Sequence, residues 1–247
     1  MGPRTAQLNV LVVSQLLAGV GVASGIAVGG LLAEELSGTV ALAGLAQTSS
    51  VLGAGLWAIP LARLAGRRGR RWGLSAGYAL AVLGTGLIFA AAALGSLVLL
   101  FVGLAGFGAA TAAGLQARFA ATEVASVAYR ARAMSLVLWA TTIGSIAGPN
   151  LSQLGSDLGV RLGIEPLTGP YLFSLVAFAG ATLIIAFRLR SPVAEEPTEP
   201  VARLGLTAAL RVGLTNPLTR LAIVAITCSH TVMVGVMVMT PVHMHNH

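Results

Sequence analysis

The chain has 247 residues, of which 56% are hydrophobic and 9% are charged, with a formal net charge of +7 and a mean hydropathy of +0.87. A soluble domain of this length could not bury so much apolar surface, so the composition excludes a soluble protein and makes lipid the solvent. All fifteen basic residues are arginines, which also excludes a retinal protein, because retinal requires a lysine Schiff base.

Seven charge-free apolar windows follow one another along the chain. Each reaches or exceeds the roughly 20 residues that an α-helix needs to cross about 30 Å of hydrocarbon. The windows are residues 9–33, 37–62, 72–96, 97–117, 133–156, 166–187 and 221–242. The pattern predicts an all-α fold, a polytopic transmembrane helical bundle that lies in a lipid bilayer.

The positions of the arginines predict the orientation of the bundle. Cytoplasmic loops retain positive charge, whereas translocated loops do not. All but Arg161 lie in the first residues or in alternate connections, namely Arg4, Arg63, Arg67, Arg68, Arg70, Arg71, Arg118, Arg130, Arg132, Arg188, Arg190, Arg203, Arg211 and Arg220. We therefore expect a multi-pass protein of a cell (inner) membrane with a cytoplasmic N-terminus. Anionic headgroups explain these arginines, so no nucleic-acid partner is expected despite a pI near 11.2.

Composition also predicts the domain organisation. Residues 1–190 form a six-span bundle. Residues 191–217 form a cytoplasmic connector, because residues 194–200 read AEEPTEP, an acidic stretch broken by prolines. Residues 218–247 hold the seventh span and the start of a second bundle. In the first span Gly21, Gly25 and Gly29 recur every four residues, which predicts close approach of a neighbouring backbone.

The connection between the second and third spans carries a family signature. Residues 62–71 read ARLAGRRGRR, which resembles the G-x-x-x-D-R-x-G-R-R motif of the major facilitator superfamily. Arg67, Gly69, Arg70 and Arg71 match, whereas Gly66 stands at the position of the family's Asp. In that family the Asp takes part in a charge network that gates the inner side. Gating here would need another acid or would be looser.

A second resemblance lies in the fifth span. Gly144, Gly148 and Pro149 fit the G-x-x-x-G-P signature of the superfamily's antiporters, in which glycine and proline let a helix bend and approach a neighbour. Gly106 and Gly108 are similar to part of an R-x-x-x-G-x-G pattern linked to proton coupling, but Val102 takes the place of the arginine. Proton antiport through that position is not expected.

The resemblance implies a major-facilitator-like fold with an incomplete second half. Facilitators rock two six-span bundles about a site between them, so a chain with seven spans provides half of that site. We expect the chain to be a fragment or an incomplete reading frame of a twelve- or fourteen-span protein. The resemblance also implies a small-molecule substrate.

Polar side chains at mid-span are the candidates for the substrate cavity, because a polar group facing lipid costs free energy. The candidates are Gln15, Gln47, Gln116, Thr142 and Asn150, together with Ser14, Ser50, Thr141 and Ser145. Hydrogen bonds to a neighbouring helix or to the backbone four residues earlier are the alternative for each. Because the first six windows contain no formal charge, a neutral, amphipathic or cationic solute fits better than an anion.

The seventh span carries the remaining candidates. His230 lies halfway along it and could exchange a proton during transport. Met and His side chains cluster around the end of the chain, where His243, His245 and His247 have the side chains that copper or zinc would prefer. No metal and no cofactor are expected.

The sequence favours transport. We expect an antiporter that exports a small organic solute and is coupled to an ion gradient, with protons as the candidate ion. Uptake of a nutrient, metal-linked transport through the seventh span and an inactive membrane scaffold are the alternatives. An enzyme is not expected, because the first six spans contain neither paired acids nor a metal-binding cluster. The oligomeric state is left open.

Overall fold

The computed structural model describes residues 3–189, 211 and 214–245. Within these residues the chain is helical and contains no strand, as the sequence predicts. It divides into two compact units, Met1–Val193 and Ala194–His247. The predicted connector, residues 191–217, lies largely outside the described residues.

Seven α-helices build the first unit. They are α1 (Pro3–Ser37), α2 (Ala41–Arg68), α3 (Arg70–Leu94), α4 (Leu97–Phe107), α5 (Ala109–Val124), α6 (Arg130–Leu162) and α7 (Pro170–Arg188). Short 3₁₀ turns at Val127–Tyr129 and Pro166–Thr168 precede α6 and α7. In the second unit, α8 spans Pro217–His245. Helix α1 packs mainly against α6 and α7, and α3 packs mainly against α4 and α7.

Five helical segments of the described chain are long and apolar enough to cross a membrane. They are Arg4–Ser37, Ala41–Arg68, Arg70–Leu94, Leu97–Val124 and Pro166–Arg188. Helix α6 is long enough, but Thr141, Thr142 and Asn150 make it more polar. Helix α8 contains an apolar stretch at Pro217–Met233. The fifth and seventh predicted spans therefore coincide with helices but stay predictions as membrane crossings.

The fourth span is longer than the sequence predicts. Its apolar window ends at residue 117, but α5 continues to Val124. Backbone hydrogen bonding does not stop at a charged residue, and the buried face of the helix continues through Ala117, Ala120 and Ala121. The prediction that Arg118 lies in a connecting loop is wrong, because Arg118 is helical and lies six residues before the end of α5.

The glycine stripe of α1 makes room for aromatic rings rather than for a backbone. A Cβ atom at Gly21 would lie 2.6 Å from the ring of Phe178, and one at Gly29 would lie 2.9 Å from the Tyr171 hydroxyl. Phe107 packs edge-on against Phe178 and Tyr171, with ring centroids 5.2 and 5.7 Å apart. These three buried rings fill the centre of the bundle beside α1. The prediction that a neighbouring backbone packs against this glycine stripe is therefore wrong, because aromatic side chains occupy that space.

Backbones do approach one another around the fourth span. A Cβ atom at Gly84 of α3 would lie 2.6 Å from the carbonyl oxygen of Gly103 in α4. Gly108, between α4 and α5, packs against α2 in the same way, where a Cβ atom would lie 2.7 Å from the Ala54 nitrogen. The glycines thus let α4 contact both α2 and α3 closely.

Candidate functional site

Gln15 is the centre of a polar network inside the apolar bundle. Its side chain lies on α1 and is 1% exposed. Its Nε2 donates to the Tyr78 hydroxyl of α3 at 2.7 Å, and its Oε1 accepts from the Thr141 hydroxyl of α6 at 3.1 Å. A buried amide must find such partners, because leaving it unpaired would cost free energy. These hydrogen bonds therefore connect α1, α3 and α6 through the Gln15 side chain.

Gln15 and Thr141 are among the sequence candidates, whereas Tyr78 is not. A tyrosine in an apolar span is easily taken for a packing residue, and its ring does pack 6.5 Å from that of Phe178. The sequence does contain a clue to Tyr78. It lies eight residues after the start of α3, within an apolar helix, where a buried hydroxyl needs a hydrogen-bond partner. The three side chains, which we call the Gln15 network, are Gln15, Tyr78 and Thr141.

Helix α5 approaches the Gln15 network through a glycine. A Cβ atom at Gly114 would lie 3.5 Å from Gln15 Oε1. Arg118 follows Gly114 by four residues and so lies one turn further along the same face of α5. The Nε atom of Arg118 is buried and has no hydrogen-bond partner.

Gln116 follows Gly114 by two residues, which corresponds to a rotation of about 200° around the helix. It therefore lies on a different face of α5 from Gly114. It is 9% exposed, and both polar atoms of its side-chain amide are buried without a hydrogen-bond partner. The prediction that Gln116 lines a cavity stays a prediction.

Thr142 and Asn150 form hydrogen bonds within α6 rather than with the Gln15 network. The Thr142 hydroxyl donates to the Leu138 carbonyl at 3.1 Å, and the Asn150 side chain donates to the Ile146 carbonyl at 2.7 Å. Both side chains are exposed and satisfied by the backbone of their own helix. Gln47 lines a small cleft between α1, α2 and α4, together with Gly29, Ser50 and Phe107 among others.

Residues 62–71, which carry the family signature, are helical on both sides of Gly69. Helix α2 ends at Arg68, α3 begins at Arg70, and Gly69 between them has a φ of +94°, which favours glycine. Arg70 donates from Nε to Glu123 Oε2 at 2.9 Å and pairs with the second carboxylate oxygen through Nη2. Glu123, near the end of α5, thus supplies the acid that the segment itself lacks.

The remaining arginines of the signature have other surroundings. The Arg71 guanidinium lies 5.9 Å from the centre of the Trp72 ring, a distance at which a cation and an aromatic face attract one another. Arg67 is exposed on the last turn of α2.

We predict a modest, salt-dependent coupling between Arg70 and Glu123. Both side chains are partly exposed, at 31% and 49%, so water screens the pair. A double-mutant cycle with Arg70→Gln and Glu123→Gln should give roughly 0.5–1 kcal/mol, falling at high salt. The measurement is thermal unfolding of the purified complete gene product. Arg67→Gln is the control, and coupling of the same size between Arg67 and Glu123 would contradict the prediction.

The antiporter-like glycines lie where α6 meets α1. A Cβ atom at Gly144 would clash with the Leu16 carbonyl oxygen and lie 2.8 Å from the Val20 nitrogen. A Cβ atom at Gly148 would lie 2.8 Å from the Ser24 nitrogen, and one at Gly19 of α1 would lie 2.5 Å from the Thr141 carbonyl oxygen. The two backbones are therefore in direct contact. Helix α6 continues through the position of Pro149.

The histidine candidates belong to the second unit. His230, His243 and His245 lie in α8, and His247 lies outside the described residues. Within the part of the chain that the structure describes, no group of three or more His, Cys, Asp or Glu side chains is placed to hold a metal ion.

Comparison with known proteins decides the family. The Major Facilitator Superfamily matches residues 8–247. The chain belongs to this superfamily. The predicted membership of the superfamily is thereby confirmed, as is the all-α, polytopic fold. The antiporter-like motif stays a prediction. Major facilitators are membrane transporters and are generally not enzymes.

Curated proteins resemble the chain along most of its length. It is 36% identical over 246 residues to the uncharacterized MFS-type transporter YdeG of Bacillus subtilis (strain 168), covering 97% of the chain and 57% of that relative. It is 33% identical over 247 residues to the uncharacterized MFS-type transporter YddS of the same strain, with the same coverage of each chain. It is 30% identical over 230 residues to the riboflavin transporter RfnT of Brucella anthropi, covering 90% of the chain and 54% of that relative.

The chain spans little more than half the length of these curated relatives. No solved structure matches it significantly.

Proposed function

We propose that the chain forms the N-terminal bundle and seventh span of a secondary transporter that moves a small organic solute across a cell membrane. The observation that carries the proposal is the buried Gln15 network, in a chain of the major facilitator superfamily. Polar groups deep in an apolar bundle are costly and mark pathways of substrates or ions. The arginine pattern supports a cytoplasmic N-terminus.

Within this function we favour efflux coupled to an ion gradient. The support is the antiporter-like motif, whose Gly144 and Gly148 bring α6 into backbone contact with α1. Such contact makes the bundle stiff, and a stiff bundle suits alternating access by rocking of one half against the other. The Arg70–Glu123 pair joins α3 to α5 at one end of the same bundle.

Uptake is the second candidate. It is favoured by the 30% identity to a protein named as a riboflavin transporter. A flavin-like nutrient is a small organic solute, so the Gln15 network fits it as well as an exported compound.

The experiment is an accumulation assay on the complete gene in an efflux-deficient bacterial host. The probes are a cationic dye (ethidium), a neutral solute (riboflavin) and an anionic dye (carboxyfluorescein). Accumulation below the vector control that returns when an ionophore collapses the gradient supports efflux, and riboflavin accumulation above the control supports uptake. Accumulation equal to the control for every probe, with the protein present in the membrane, would contradict transport.

We further predict that His230 couples transport to protons. The support is its place in α8, halfway along the predicted seventh span, because an imidazole is a side chain that proteins use to relay protons. His230→Ala should reduce transport driven by a pH gradient to the level of the vector control, while Cys228→Ser, two residues earlier in α8, should not. The measurement is gradient-driven transport in vesicles, and unchanged coupling in His230→Ala would remove His230 from the mechanism.

A further inference from the structure

The cleft between α1, α2 and α4 lies in the half of the bundle where α1 ends and α2 begins. Gly29, Gly30, Gln47, Ser50 and Leu104 are among the residues that line it. Gly30 and Gln47 are partly exposed, so the cleft can be reached from the surface of the bundle. Its enclosed part has room for a group about the size of a water molecule.

Glu34 brings a carboxylate to the end of this cleft. It follows Gly30 by four residues and so lies one turn further along the same face of α1. Helical side chains lean toward the N-terminus of their helix, so the Glu34 side chain leans toward Gly30. Its Oε2 atom is buried and accepts no hydrogen bond. Among the described residues the ion pair between side chains joins Arg70 to Glu123, at the opposite end of the bundle, and leaves Glu34 without a counter-charge.

A second unpaired polar atom borders the cleft. The hydroxyl of Tyr171 in α7 is buried and has no hydrogen-bond partner among the described residues. A Cβ atom at Gly29 would lie 2.9 Å from this hydroxyl and 3.6 Å from the Leu104 side chain, and both Gly29 and Leu104 line the cleft. An unpaired buried hydroxyl or carboxylate costs free energy, which a ligand with suitable hydrogens would recover.

We propose that this cleft binds a primary ammonium group of the transported solute, with Glu34 as its counter-charge. The inference rests on the proposed transport function and narrows its substrate class to organic amines. An ammonium group is compact, and it offers three hydrogens and no lone pair. The Glu34 carboxylate, the Gln47 amide oxygen and the Ser50 hydroxyl can each accept one of these hydrogens. Hydrogen bonds between charged groups are shorter and stronger than neutral ones.

The test compares three probes that share a benzyl group and differ in the group attached to it. Thermal unfolding of the purified complete gene product is measured with benzylamine, benzyl alcohol and benzyltrimethylammonium, at about 0.15 M sodium chloride. Benzylamine is protonated at neutral pH and should raise the unfolding temperature with increasing concentration. Benzyl alcohol lacks the charge, and the trimethylammonium group is too large for the enclosed part of the cleft, so neither should have this effect.

Variants of the cleft test which residues hold the ammonium group. Glu34→Gln should weaken the affinity for benzylamine at least about tenfold, and Gln47→Leu should weaken it roughly threefold or more. Glu35→Gln is the matched control, because it removes the neighbouring carboxylate, which is exposed, and should leave the affinity unchanged. Without a probe, Glu34→Gln should unfold at the temperature of the wild type or above it, since it removes a buried charge that has no partner.

Three results would overturn the inference. The first is equal stabilisation by benzylamine and either of the other two probes. The second is equal affinity for benzylamine in the wild type and in Glu34→Gln. The third is a Glu34→Gln protein that, without a probe, unfolds at a lower temperature than the wild type or does not fold, because another part of the complete protein would then already pair with Glu34.

Failure of the inference differs from failure of the proposed function. Extrusion of ethidium without any binding of benzylamine would leave transport standing and remove the ammonium site. Benzylamine binding that depends on Glu34, without movement of any probe across the membrane, would keep the site and remove transport.

Discussion

Gly144→Ala is expected to lower the unfolding temperature of the protein by roughly 5–10 °C, as follows from a destabilisation of about 2–3 kcal/mol. The new methyl group would clash with the carbonyl oxygen of Leu16 and lie 2.8 Å from the nitrogen of Val20. These neighbours are backbone atoms of α1, which cannot rotate away as a side chain could. Helix α6 would have to separate from α1, and the hydrogen bond from Thr141 to Gln15 spans this same interface.

Gly86→Ala is the matched control for this change. Gly86 lies within α3, and a Cβ atom there would meet nothing within 4 Å. The same added methyl should be neutral or stabilise the helix by up to about 1 kcal/mol. Both variants are compared by thermal unfolding of the purified protein. Equal unfolding temperatures for the two variants would show that α1 and α6 are not held in backbone contact.

Gln15→Leu is expected to abolish transport and to destabilise the bundle by about 1–3 kcal/mol. Leucine has nearly the volume of glutamine, so packing changes little. The Tyr78 hydroxyl, which is fully buried, would lose its donor, and Thr141 would keep only its backbone acceptor at Val137. A solute that binds at the network would also lose its polar surroundings.

The control for Gln15 is Gln153→Leu, the same chemical change at an exposed position of α6. It should leave both transport and unfolding temperature within measurement error. Transport is followed by accumulation of the probe that the wild-type protein moves. Normal transport by a folded Gln15→Leu protein would place the solute path outside the Gln15 network.

Much of the fold is predictable from hydropathy, because lipid forces every backbone group into a helix. What a window of apolar residues cannot show is where a helix stops, since hydrogen bonding continues through Arg118 to Val124. Glycine spacing has a similar limit. The stripe at Gly21, Gly25 and Gly29 indicates free space on α1, but it does not reveal that aromatic rings fill it.

The candidate site is predictable only in part. Gln15 and Thr142 look alike in the sequence, as polar residues in the middle of apolar spans. Gln15 is buried and bonded to two other helices, whereas Thr142 is exposed and satisfied by the carbonyl four residues before it. Tertiary contacts make the difference, and a single sequence does not contain them.

The one-residue connection at Gly69 has a practical consequence for labelling and topology mapping. Because α2 and α3 meet without a loop, an epitope tag or protease site inserted there would push two packed helix ends apart, and expression should suffer. The connection between α5 and α6 is longer. Residues 125–129 contain a single 3₁₀ turn, and the side chains of that turn are not buried. Reporter insertions that must leave the bundle intact belong there.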